Sequence, residues 1–173
     1  MKRILLLFLL FLFCVGCAPS NGDTAQILFI GNSYTYVNNL PKMFASLSKS
    51  GGHRVEVGME AEGGWTLEDH VEAAKTMRAI ESSEWDFVGV QEQSQIPASA
   101  IFRERGMYPA ARTLVTKIRK VGAAPVLFLT PAHLDGWPEE RLDYAAMQFQ
   151  INAGYWSLAQ QLNVLVAPAG IAW

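Results

Sequence analysis

The sequence predicts an α/β domain with a five-stranded parallel sheet between layers of helices. Three observations predict it. Short, nearly continuous apolar runs recur at residues 26–30, 86–90, 125–129 and 163–167, with one alternating run at 53–59. Segments with apolar residues three and four apart lie between them. Glycine or proline punctuates most of the boundaries. Strands of a parallel sheet are buried on both faces and read as unbroken apolar runs, whereas the helices that cover them carry one apolar stripe.

Residues 26–30 (QILFI) end at Gly31 and form the first strand. Residues 40–50 place Leu40, Met43, Phe44 and Leu47 on one helical face and stop at Gly51-Gly52. In residues 53–59, Val55, Val57 and Met59 point one way and Arg54 and Glu56 the other, the period of a second strand. Residues 66–80 are helical, and their Thr66-x-x-Asp69 start resembles a capping box. Residues 86–90 (DFVGV) form a third strand. Proline in the first turn, an apolar face of Ala111, Leu114, Val115 and Ile118, and Gly122 past the end define a helix over 109–120. Residues 125–129 (PVLFL) are the fourth strand. One long helix over 138–162 carries Tyr144, Met147, Ile151, Tyr155, Leu158 and Leu162 on a stripe, and residues 163–167 (NVLVA) are the fifth strand.

The chain has 173 residues, half of them apolar and 17% charged, with a formal net charge of −2. That suits one globular domain and excludes a disordered chain. Without a basic cluster, nucleic acid is not an expected partner.

The first 17 residues read as a targeting segment. Lys2 and Arg3 precede a ten-residue apolar run, 4–13, which is too short to span a bilayer and suits a signal sequence. Gly16-Cys17 follows and resembles a bacterial lipobox, with Cys14 where leucine is usual. Residues 18–24 read as a tether. The expectation is a protein exported and lipid-anchored to the bacterial cell envelope through Cys17. Both cysteines lie in this segment, so residues 25–173 have none for a disulfide, a thiolate metal site or a nucleophile.

In open parallel sheets, ligands bind beyond the carboxyl ends of the strands. Three loops there carry chemistry. Gly31-Asn32-Ser33-Tyr34-Thr35 follows the first strand and presents a serine at the mouth of the sheet. Glu62-Gly63-Gly64-Trp65-Thr66 offers unobstructed backbone N–H groups beside a helix start, the material of an oxyanion hole. Gln91-Glu92-Gln93-Ser94-Gln95 is strongly polar after an apolar strand, and a glutamine amide can donate to a developing oxyanion. Each loop alone also fits an ordinary turn.

ILFIGNSYT, EGGWTLEDH and DFVGVQEQSQ resemble, in order and spacing, the first three blocks of the SGNH/GDSL hydrolase superfamily, and specifically a bacterial subgroup with a glutamine-rich third block. The resemblance covers residues 25–173. It implies a flavodoxin-like three-layer sandwich and a serine that attacks an ester carbonyl. It makes Ser33 the nucleophile and Gly64 an oxyanion-hole donor. Gln91 or Gln93 would stand where asparagine is usual, with Gln91 preferred because it lies nearer the strand end.

The family's base is a histidine in an Asp-x-x-His block near the C-terminus. None follows residues 166–173, so the sequence reads as C-terminally incomplete, without its last helix and with impaired activity. Three histidines are candidate substitutes. His53 opens the second strand at the wrong end of the sheet. His70, one turn into a helix, is expected on the surface or in a cap. His133, in the loop after the fourth strand with Asp135 two residues on, is the possible substitute base.

No histidine–carboxylate spacing suits a metal, and no cofactor is expected. The functional expectation is an ester hydrolase acting on a small-molecule or polysaccharide ester, with Trp65 and Trp137 as candidate sugar-stacking residues. The alternatives are a non-catalytic carbohydrate-binding lipoprotein or a fragment without function.

Overall fold

In the computed structural model, residues 24–172 are described. The targeting segment, with Cys17, lies outside them. The order of elements is β1 (Ala25–Gly31), α1 (Ser33–Tyr36), α2 (Leu40–Ser50), β2 (Val55–Ala61), α3 (Leu67–Glu72), α4 (Ala74–Glu81), β3 (Phe87–Val90), α5 (Ala100–Phe102), α6 (Tyr108–Lys120), β4 (Ala124–Phe128), α7 (Tyr144–Leu162), β5 (Leu165–Ala167) and α8 (Ala169–Ala172). The five strands form one sheet in the order β2-β1-β3-β4-β5. All pairings are parallel, with Ile27 opposite Val57 and Ile30 opposite Val90. The carboxyl ends therefore share one edge. The strand order reverses between β1 and β3, and a crevice opens where connections leave toward opposite sides.

Alternation along the strands sends Leu28, Ile30, Val88, Val90 and Leu127 to one face. There they pack against Leu67 of α3, Ile80 of α4, Leu114 and Ile118 of α6, and Met147, Ile151 and Tyr155 of α7. Helix α2 contributes nothing to this core. It packs on the other face, where Phe44 meets Phe29 edge-on at 5.7 Å. The expected helices on both faces are thus unequally divided. On the α2 side, Phe87 remains 37% and Leu165 62% exposed.

Two expected helices differ from the sequence reading. Residues 66–80 break at Ala73, whose backbone is extended (φ −80°, ψ 110°). The break has a packing cause. His70 and Thr76 are both fully buried and bonded to each other at 2.9 Å. At about 100° per residue, six residues of unbroken helix would set them about 120° apart around the axis and about two turns along it, too far apart to meet. The long helix begins at Tyr144, not at 138, because the Asp143 side chain accepts from Ala146 N–H at 2.8 Å and caps it there. Residues 138–140 form a separate 3₁₀ turn that ends at Arg141 in the left-handed region (φ 56°). The second strand also lies two residues later than expected, so His53 precedes it. Helices α1 and α5 had no expectation. Each is three or four residues long, below the length at which apolar periodicity shows.

Candidate active site

The serine turn is built from buried hydrogen bonds. Strand β1 ends at Gly31, where any Cβ would collide with Gln91 Oε1 and Thr35 Oγ1. Asn32 then caps α1, with its Oδ1 accepting from Tyr34 N–H at 3.2 Å. Ser33 is the first residue of that helix and is half-buried. Its neighbours are fully engaged. Asn32 N–H and Thr35 O–H both donate to Gln91 Oε1, at 3.0 and 2.8 Å. Gln91 Nε2 donates to Asn32 Oδ1 at 2.9 Å and to the Glu92 carbonyl at 2.7 Å. Asn32 Nδ2 donates to the Trp65 carbonyl at 2.8 Å and draws the Gly63-Gly64 loop against the serine turn. Glu62 N–H reaches the Gly31 carbonyl at 3.3 Å on the same side. Among the described residues, nothing is hydrogen-bonded to the Ser33 hydroxyl.

This geometry corrects the choice of Gln91 as an oxyanion donor. Gln91 is 1% exposed, and both of its amide hydrogens are committed within the fold. It is the bracket that holds the turn. Gln93 is half-buried, and its Oε1 accepts from Gln95 and Ile96 N–H, at 2.7 and 3.3 Å. Its Nε2 has no partner among the described residues, so it is the glutamine with hydrogens to give. Gly64 sits in the left-handed region (φ 75°), is exposed, and has open space where a side chain would stand.

The three histidines differ sharply. His53 is exposed beyond the amino end of β2. His70 is fully buried, against the expectation of a surface or cap position. Its Nε2 lies 2.8 Å from the Gly31 carbonyl, which can only accept. The proton therefore sits on Nε2, and Nδ1 accepts from the Thr76 hydroxyl. Burial holds its pKa below the usual histidine range. Both nitrogens are occupied, so His70 braces the end of β1 and is no base. The sequence signal for this was its position three residues after the buried Leu67. His70→Ala should cost about 2–4 kcal/mol in urea unfolding, because it orphans the Gly31 carbonyl and the Thr76 hydroxyl.

His133 pairs with a different serine. Its Nε2 lies 2.7 Å from Ser94 Oγ and clasps the loops after β3 and β4. No hydrogen bond joins His133 to Ser33 or to Asp135, so the structure does not assemble the substitute base at Ser33.

Sequence reasoning also passed over Glu92. Its carboxyl is 1% exposed, with Oε1 accepting from Leu67 N–H at 3.2 Å and Gln93 N–H at 2.7 Å. Oε2 has no partner. Burial outweighs those two bonds and pushes its pKa up to about 8, so the group is neutral at pH 7. Glu92 N–H donates to the Tyr155 hydroxyl at 3.1 Å and ties the third loop to α7.

The tryptophans are partly used by the fold. Lys75 Nζ, paired with Glu60 and Glu62 at 2.9 and 2.5 Å, lies 4.5 Å from the Trp65 ring centroid, and the Trp65 ring meets His70 edge-on. Trp137 stacks on Phe102 at 6.3 Å. Among the described residues, no group of histidines, cysteines and carboxylates is placed to hold a metal ion.

A parallel sheet in this order, with a free serine hydroxyl directly after β1, has the α/β fold of the SGNH hydrolases. Among solved structures, the chain is similar to a protein from Slackia heliotrinireducens described as a putative SGNH hydrolase, with 26% identity and a TM-score of 0.70 over 84% of this chain and 79% of the other. It is also similar to a DUF4886 family protein from Bacteroides uniformis (19% identity, TM-score 0.70, 86% and 68% covered). A third is the acetyl xylan esterase AlAXEase (14% identity, TM-score 0.63, 82% and 75% covered). No protein-family model and no curated protein matches the chain.

Proposed function

We propose that this protein is a serine ester hydrolase whose nucleophile is Ser33. One observation carries the reading. Asn32, Thr35 and Gln91, packed beneath the serine turn, are committed to partners within the fold, whereas no described residue is hydrogen-bonded to the Ser33 hydroxyl, which is left for an outside molecule. Ser33 Oγ attacks the ester carbonyl carbon, and the backbone N–H groups of Ser33 and Gly64 receive the oxyanion. The C–O bond to the alcohol breaks, and the serine proton leaves on that alcohol. Water then cleaves the acyl-serine to a carboxylic acid and restores Ser33. Esters of carbohydrates are the proposed substrates, at the cell envelope, with the chain anchored through a lipid on Cys17. None of the described side chains that could accept a proton is hydrogen-bonded to the Ser33 hydroxyl. General-base assistance contributes ~10²–10⁴-fold, so turnover by the 173-residue chain is slow.

A fluorophosphonate probe tests the assignment. It should label Ser33 in the full chain, and label should vanish in Ser33→Ala without loss of thermal stability. Labelling of Ser94 with Ser33 untouched would refute it, and no labelling anywhere would favour a carbohydrate-binding protein. His133→Ala should leave Ser33 labelling within about twofold of the parent, since its ring is held by Ser94.

A further inference from the structure

We propose that the cleft beside Ser33 takes the acyl part of the ester, and that this acyl group is an apolar chain of medium length rather than acetyl. The inference rests on Ser33 as nucleophile and names the substrate for that site. A cavity of about 440 Å³ opens next to Ser33 between α1, α2 and the end of β4. Its apolar wall is Val37, Leu40, Met43, Phe128, Pro131 and Ala169. The polar residues on it are Ser33, Tyr34 and Asn38, and among the described residues no charged side chain lines it.

Size and chemistry both decide against a two-carbon acyl group. The volume lies in the range of sites that enclose whole small ligands, about 300–1,000 Å³. An acetyl group would leave most of that apolar wall facing water. A chain of six to ten carbons would cover it, with a gain of roughly fourfold in binding per methylene buried. Among the described residues the wall offers no lysine or arginine, so it favours a neutral acyl chain over a dicarboxylic one, whose free carboxylate would need a partner.

The wall is also preformed. Asn38 and Asn39 both adopt left-handed backbone (φ 58° and 53°), which asparagine tolerates better than most residues. These two residues turn the chain from α1 into α2. Pro41 then lies in the first turn of α2 and fixes its start. Phe128 enters from the last position of β4. The cleft therefore needs little ordering when a chain enters.

The test compares p-nitrophenyl octanoate with p-nitrophenyl acetate on the full chain. The expected kcat/KM ratio, octanoate over acetate, is at least tenfold after subtraction of Ser33→Ala. Val37 and Met43 are 52% and 60% exposed, so both accept substitution without loss of fold. Val37→Lys and Met43→Lys should each lower that ratio by about tenfold by placing a charge on the wall. A ratio near one with Ser33 labelled by fluorophosphonate overturns the acyl assignment and spares the nucleophile. Absence of that label overturns the nucleophile. In that event, titration of ¹³C-methyl methionine protein with octanoate decides the cleft alone. A Met43 methyl shift with octanoate and none with acetate supports it, and no shift with either overturns it.

Discussion

Gln91→Leu is expected to lower the unfolding free energy by about 3–5 kcal/mol and to abolish labelling of Ser33. The size follows from what Gln91 holds. One buried amide accepts from Asn32 N–H and the Thr35 hydroxyl and donates to Asn32 Oδ1 and the Glu92 carbonyl. Leucine has similar bulk and no polar atoms, so the variant removes partners without opening a large cavity. Asn32 and Thr35 are 1% and 2% exposed, and water cannot replace what they lose. Each orphaned group costs ~1–3 kcal/mol, and the losses overlap because they share one network. Gln93→Leu is the matched control. It removes two acceptor contacts at a half-buried turn and should cost about 1 kcal/mol or less. Urea unfolding of both variants checks this. A Gln91→Leu protein within 1 kcal/mol of the parent would show that the bracket does not hold the serine turn.

Glu92→Gln should raise stability at pH 9 by several kcal/mol and flatten the dependence of stability on pH between about 5 and 8. The folded-state pKa is about 8, above the 4.5 of the free side chain. Between those values the folded protein binds the proton and the unfolded chain does not. Stability from this group is therefore full below about pH 4.5 and is lost as pH rises toward 8, above which the loss stays constant. One pKa unit corresponds to about 1.4 kcal/mol, so the shift amounts to an order of 3–5 kcal/mol at pH 9. Glutamine keeps an acceptor for Leu67 and Gln93 N–H and never ionises. His70 works in the opposite direction. Its folded pKa is lowered, so its contribution is present above about 6.5 and is lost as pH falls below that. Thermal melts from pH 4 to pH 9 separate the two, since Glu92→Gln should remove the fall in stability as pH rises from about 5 to 8 and leave the acid-side loss from His70 in place. An unchanged slope between about pH 5 and 8 would mean that Glu92 is already ionised in the folded protein.

Much of the frame was legible in the residues themselves. Runs such as QILFI and DFVGV read as strands at that length, and the glycine after the first placed Ser33 at the ligand-binding edge. Caps were readable where the side chain lies next to the backbone it bonds. Thr66 and Asp69 exchange hydrogen bonds as a capping box, as their spacing implied. Helix breaks were not readable when their cause lay at a distance. The interruption at Ala73 serves a buried His70–Thr76 contact, and neither residue belongs to an apolar stripe.

Sequence by itself determined the alternation of strands and helices, the edge of the sheet that carries the polar loops, and Ser33 as the residue presented there. Local spacing sets these features, and local spacing is what a sequence displays. Tertiary structure alone decided which polar groups in those loops remain available. Gln91 is spent on Asn32, 59 positions away, His70 on Gly31, 39 away, and His133 on Ser94, also 39 away. An amide or imidazole has the same chemistry whether it braces the fold or faces a ligand. Only the partner brought to it by packing decides between the two.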